Sequence, residues 1–183
     1  MSATPPPPLK PAPFTGDASI TQHVQKYVGV WSEGVGYGYD VAMFSDGVVK
    51  VIAAEKGRVH AQMVVEKRHL NVYGTLHGGL IATLIDNVTT FAIISHADGT
   101  DKLDTTNSVE LSVGYLKGVN LGDTLDLYGY CPKAGRTLAF TSCDIFVKDT
   151  LVAQGRHTKF VFPPTPGGLA KAVEDRKRKE GML

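Results

Sequence analysis

The chain has 183 residues, with 19 basic against 18 acidic side chains and a net charge of +1. That length suits one domain with a substantial core, and the balanced charge implies no nucleic-acid footprint. Two cysteines, Cys131 and Cys143, fit neither a disulfide framework nor a zinc site, which points to a reducing, intracellular compartment, cytoplasmic or mitochondrial.

The chain opens on a proline run, Pro5 to Pro8, followed by Pro11 and Pro13. Such a run makes neither helix nor sheet, so residues 1–16 are expected to be extended and disordered. They lack the basic-then-apolar pattern of a secretory signal. Residues 17–31 predict a short helix capped at Asp17 or Ser19. The glycine-rich stretch 32–47 reads as loop with at most one irregular strand. Strands are expected at 48–54 and 58–67, the second alternating polar and apolar, with Lys56-Gly57 as the turn between them.

A loop at 68–76 leads to a long central helix. Leu80, Leu84, Val88, Phe91 and Ala92 recur at helical spacing, and Ile81, Ile85, Ile93 and Ile94 make the other faces apolar too. A helix that is apolar nearly all round is a buried one. Asp86 and Asn87 at its centre argue against a membrane span. Gly99 is placed to cap its end. Four β segments follow, at 104–117, 123–131, 136–147 and 151–162. Their short separators predict an antiparallel meander. An antiparallel sheet that serves one solitary apolar helix must wrap it, which gives an α+β domain over 17–162. Residues 163–183, with three prolines and a charged run, form a tail, either disordered or a short exposed helix.

The chemistry gathers around the central helix. Its one polar stripe is Gly79, Thr83, Asp86, Asn87 and Thr90, which share a side. An ionised carboxylate on the single polar seam of a buried helix needs a partner or a task. Asp86 is therefore the candidate general base or nucleophile. At the helix start, Gly78 and Gly79 leave first-turn N–H groups open, at the positive end of the helix dipole, as a candidate oxyanion site. Gly78 and Asp86 lie about 12 Å apart along one helix. One reacting bond cannot touch both, so a second copy must bring its Asp86 to the first copy's Gly78. No cluster has metal-ligand spacing, and no metal or other cofactor is expected.

Two blocks carry a family resemblance. Asn71…Gly74-Thr75-Leu76-His77-Gly78-Gly79 with Asp86 beyond it resembles the His-Gly-Gly signature of hotdog-fold acyl-CoA thioesterases, in the branch of thioesterase superfamily member 2. Lys133-Ala-Gly-Arg136-Thr137-Leu-Ala-Phe-Thr-Ser142 with Ala153-Gln-Gly-Arg156-His157-Thr158-Lys159 also resembles that branch. The likeness covers residues 44–162. It implies a hotdog fold, hydrolysis of fatty or aryl acyl-CoA, and a homodimer that pairs into a dimer of dimers. It implies that Asp86 acts with Ser108, which would hold the attacking water, and that Asn71 and His77 shape the oxyanion end. Turn chemistry is the plain alternative for Asn71. Glu110 stands where the family has an aspartate near the ligand. For CoA, Tyr115 would flank the pantetheine, and Lys117, Lys133, Gly135, Arg136 and Thr137, with Arg156 and Lys159, would meet the phosphates; packing and solvated charge are the alternatives. A non-catalytic acyl-CoA-binding or scaffold dimer on the same fold is the rival reading.

Overall fold

The computed structural model describes residues 9–34, 36–97, 106–163 and 167–182. In chain order the elements are α1 (Ala18–Glu33), α2 (Tyr39–Phe44), β1 (Val49–Glu55), β2 (Arg58–Val64), α3 (Gly78–Ile94), β3 (Thr106–Tyr115), β4 (Thr124–Tyr130), β5 (Leu138–Val147), β6 (Thr150–Val161) and α4 (Gly168–Lys179). Asp17 caps α1 as its sequence position suggests, accepting from the Ser19 and Ile20 N–H groups. The expected cap at Gly99 lies outside the described residues.

The strands form one antiparallel sheet in the order β1-β2-β4-β5-β6-β3. The expected meander is corrected here. β3 does not pair with its successor β4 but with β6, and β2 occupies the edge of β4 instead. The connector 116–123 is long enough to carry the chain from one flank of the sheet to the other, so its shortness in sequence did not make a hairpin.

The sheet curls over α3, whose Leu80, Leu84, Ile85, Val88, Phe91 and Ile93 are all buried. Each such side chain contributes about 1.5–3 kcal/mol relative to exposure. Contact is close because two strands present glycine to the helix. A Cβ at Gly129 would stand 2.6 Å from the Val88 carbonyl oxygen, and one at Gly155 2.7 Å from Ile85 Cγ2. Gly129→Ala and Gly155→Ala are each expected to destabilise the protein by about 1–3 kcal/mol through overpacking, read as a lower denaturant midpoint at unchanged slope.

The sheet alone does not enclose α3. Trp31 of α1 meets Phe91 edge-on at 5.5 Å, and Phe44 of α2 packs on Trp31 at 5.0 Å. The α2 helix corrects the loop-or-strand reading of 32–47. Gly38, at φ 105°, turns the chain, and buried Phe44 fixes the single turn and a half that follows. The expectation of a disordered 1–16 is corrected for residues 9–16. They have no regular structure, but Lys10 pairs with Asp126 at 2.5 Å and Phe14 lies under the Arg58 guanidinium. In the C-terminal tail, α4 is the helical alternative, tied down through Tyr37, Arg176 and Glu180. Helix inside, antiparallel sheet outside, is the hotdog arrangement that the resemblance implies. Among the described residues no helix is long and apolar enough to cross a membrane.

Candidate active site

Strand parity decides which side chains reach α3. Along β6, Ala153, Gly155, His157, Lys159 and Val161 are buried toward the helix, while Gln154, Arg156 and Phe160 point out. Lys159 is only 4 % exposed, and its ammonium donates to the Asp86 carboxylate in a short ion pair. This corrects the reading of Lys159 as a phosphate contact: it is a buried partner of the seam aspartate. Burial pulls the Lys159 pKa down, and the hydrogen bond and charge of Asp86 push it back up. Asp86 itself remains partly open, with 37 % of its side chain exposed.

Next to the pair lies His157, with Nδ1 3.7 Å from Asp86 Oδ1 and 3.0 Å from Thr89 Oγ1. The Thr89 hydroxyl spends its one proton on the Asp86 backbone carbonyl at 2.8 Å, so His157 Nδ1–H must be the donor to Thr89. Burial, then the Lys159 charge, hold the His157 pKa down at about 4 against the opposing pull of Asp86, so the imidazole is neutral. Its Nε2 is buried without a hydrogen-bond partner among the described residues.

β3 brings Ser108 to the same place. Ser108 sits opposite Lys159 in the β3–β6 register, on the face that carries Asp86. Between Ser108 and Glu110 the ladder slips by one residue at Val109. The bulge puts Glu110 opposite Thr158, on the outer face of the sheet, where it lines a crevice with Ser112, Phe140, Ser142 and Arg156. Glu110, expected near the ligand, thus lies on the opposite face of the sheet from Ser108 and Lys159.

The helix start is a second station. His77 caps α3, its Nδ1 accepting the Gly79 N–H at 2.9 Å. Of the two glycine N–H groups, then, one is already used; for that of Gly78 no acceptor is found among the described residues. Tyr115 lies over Gly78, with its ring 3.5 Å from where a Cβ would be. Asn71 keeps its side chain within its own loop. Its Oδ1 accepts from the Tyr73 N–H at 2.9 Å and its Nδ2 donates to Thr75 Oγ1 at 3.0 Å. That is the turn role.

The two stations are far apart within one chain. Tyr115 faces Ala153 and Ser108 faces Lys159, six residues along β6 or about 20 Å. The same ruler separates the cationic candidates. Lys117 is at the Gly78 end of the sheet. Lys133, Gly135, Arg136 and Thr137 form the turn between β4 and β5 at the other end, where the Thr137 carbonyl accepts from the Val161 N–H. One chain therefore does not gather them into one phosphate site.

Asp40 was missed by the sequence reading. Its carboxylate, carried by α2, accepts from the side chains of Trp31 and Asn87 and lies within the field of Asp86. Burial first, with the Asp86 charge, raises its pKa above the usual carboxylate value, while the two hydrogen bonds oppose the rise. Nearby, the Tyr39 hydroxyl meets Thr83 Oγ1 at 3.4 Å. Thus α2 reaches the polar seam through the Tyr39 hydroxyl.

Comparison with known proteins meets this geometry. The thioesterase superfamily profile matches residues 73–154. Human acyl-coenzyme A thioesterase 13 is 42 % identical over 115 residues, spanning 62 % of this chain and 79 % of that one. The crystal structure of zebra fish thioesterase superfamily member 2 superposes with a TM-score of 0.66 at 33 % identity, covering 78 % of this chain and 98 % of that one. A Streptococcus mutans protein solved bound to acetyl CoA gives 0.58 at 32 % identity, covering 63 % and 90 %. With a buried helix wrapped by an antiparallel sheet, a seam carboxylate and a His-Gly-Gly helix start, the chain belongs to the thioesterase superfamily and is a thioester hydrolase of the hotdog fold.

Proposed function

We propose that the protein hydrolyses acyl-CoA thioesters, fatty or aryl, to CoA and a carboxylic acid, in a site shared between two copies. The observation that carries this is the separation of two complementary groups of residues on one chain: Asp86 with Ser108 and Lys159 at one place, and at the other the Gly78 N–H, which has no acceptor among the described residues. Support for the substrate comes from the relatives, which include acyl-coenzyme A thioesterases and a protein that binds acetyl CoA.

In this reading the thioester carbonyl oxygen accepts from Gly78 N–H, which stabilises the developing oxyanion. The partner's half-site supplies Asp86. Either Asp86 takes a proton from a water held by Ser108, and that water attacks the carbonyl carbon, or Asp86 attacks directly and water cleaves the anhydride. Both routes break the C–S bond and release CoA as a thiolate, which regains a proton. His77 acts through the helix cap, and Asn71 through the loop that leads into it.

The second copy is called for by β3. This ten-residue edge strand exposes Val109 at 60 % and Leu111 at 36 %. A long apolar edge is a template for another strand. Pairing β3 with β3 of a second copy, antiparallel, lays the Gly78 end of one chain against the Asp86 end of the other. It also brings Lys117 of one toward Lys133, Arg136 and Thr137 of the other, around a CoA phosphate. Further pairing into a dimer of dimers follows the family resemblance. An intracellular setting is supported by Cys131 and Cys143, which are both buried and free.

The test is free-thiol release from short, long and aryl acyl-CoAs. Turnover of at least one class is expected; binding of CoA with no release from any class would contradict hydrolysis. Gly78→Ala should lower kcat about ten-fold or more with little change in thermal midpoint. The added methyl meets Tyr115 at ordinary contact distance, 3.5 Å, and alanine favours the helix. Normal kcat in that variant would remove the oxyanion role.

A further inference from the structure

We propose that Lys159 is a positioning residue that clamps the Asp86 carboxylate by one oxygen, Oδ1, and so leaves Oδ2 as the reacting atom. The inference rests on the reading of Asp86 as the group that activates water or attacks. It adds which oxygen acts and what aims it.

Geometry carries the argument. The Lys159 ammonium donates to Asp86 Oδ1. His157 Nδ1 also stands on the Oδ1 side, 3.7 Å away, but its proton is given to Thr89. Among the described residues no hydrogen bond or ion pair reaches Oδ2. Lys159 is 4 % exposed, whereas 37 % of the Asp86 side chain is open. The clamp thus lies inside the fold, and the carboxylate extends outward from it. A buried ammonium is costly unless paired, which ties Lys159 to Asp86.

The main chain of Asp86 is fixed as well. Its carbonyl oxygen accepts from the Thr89 hydroxyl at 2.8 Å and from the Thr90 hydroxyl at 3.0 Å. An aspartate carboxylate otherwise turns readily about its last bond, a broad and two-fold torsion that exchanges the two oxygens. With the main chain and Oδ1 both held, Oδ2 keeps one place. β3 completes the arrangement. Ser108 stands directly opposite Lys159 in the ladder, and such pairs keep their Cβ atoms about 4.5–5.5 Å apart. One cross-strand pair therefore serves both oxygens: Lys159 fixes Oδ1, and Ser108 holds the water at Oδ2. On the base route Oδ2 takes a proton while the water oxygen bonds to the carbonyl carbon. On the nucleophilic route Oδ2 forms that bond itself, and water later cleaves the anhydride. In both the C–S bond breaks and CoA leaves as a thiolate.

The test is thiol release by the full-length protein and its variants, with kcat and KM read separately and thermal midpoints measured alongside. Lys159→Met keeps an unbranched side chain and removes the donor. It is expected to lower kcat about 10–10²-fold, the effect of a misplaced reacting group, with KM for the acyl-CoA within about two-fold, since the ammonium does not touch substrate. Lys159→Ala opens the space left by the alkylammonium chain. Propylammonium replaces that chain atom for atom and should raise kcat of this variant about ten-fold or more, after subtraction of the enzyme-free rate. Propionitrile, of similar size but without a donor, should not. A merely structural role would lower the thermal midpoint and leave kcat of the folded protein near normal. Normal kcat in Lys159→Met, a loss confined to KM, or an amine effect no greater than that of propionitrile overturns the proposal. If Lys159→Met does not fold, Lys159→Ala prepared with propylammonium present decides it. Asp86→Asn separates the two levels. If that variant turns over, the reading of Asp86 fails; if it is inactive while Lys159→Met keeps normal kcat, this inference alone fails.

Discussion

Asp86→Asn is expected to abolish turnover while CoA binding persists. Loss of a general base removes about 10²–10⁴ in rate, so the variant should keep less than about a tenth of wild-type kcat, and far less if the carboxylate attacks directly. Asparagine preserves the shape and leaves an acceptor for the Lys159 ammonium. It does remove a negative charge beside a buried cation, and breaking a fully buried pair costs about 3–5 kcal/mol. Here the cost is smaller, because 37 % of the Asp86 side chain is exposed and Lys159, already eased toward neutrality by burial, can shed its proton. The expected signature is thus a large loss of thiol release with a modest drop in thermal midpoint. Retained turnover above about a tenth would remove Asp86 from the chemistry.

Much of this site is readable in the sequence because it lies on one helix. Period 3.6 alone separates the half-buried seam of Thr83, Asp86 and Asn87 from the buried faces, and the glycine pair marks the helix start. Strand residues are harder. Lys159 carries a signal that was there to be used: it shares parity with Ala153, Gly155 and Val161, so it must face the helix. Its charge masks that parity and suggests surface instead. Glu110 could not be placed by parity at all. Ser108 and Glu110 are two apart and should share a face, but the bulge at Val109 sends them to opposite ones, and nothing local announces it. The order of strands was equally hidden. Whether the chain after β3 folds back as a hairpin or crosses to the far flank depends on which edge β2 takes, a long-range competition that turn residues do not report. Asp40 belongs to a helix of six residues behind a run of glycines, stabilised by Phe44 packing on Trp31 rather than by its own propensity.

Restoration of activity by mixing two dead variants is the second large effect. Asp86→Ala disables one half-site. Asn71→Ala combined with His77→Ala disables the other, since Asn71 braces the loop 71–75 and His77 caps the helix that carries the Gly78 N–H. Each homodimer then has two broken sites. In a mixed dimer one site collects both defects and the other collects none. Random assembly on co-expression makes about half of all dimers mixed, each with one intact site, so activity per chain should recover to roughly a quarter of wild type. Distinct tags on the two variants allow the mixed dimers to be purified and counted. Thiol release by those dimers at about half the wild-type rate is the predicted result. Mixed dimers that form and release no thiol would place both halves of the site on one chain and contradict the shared site.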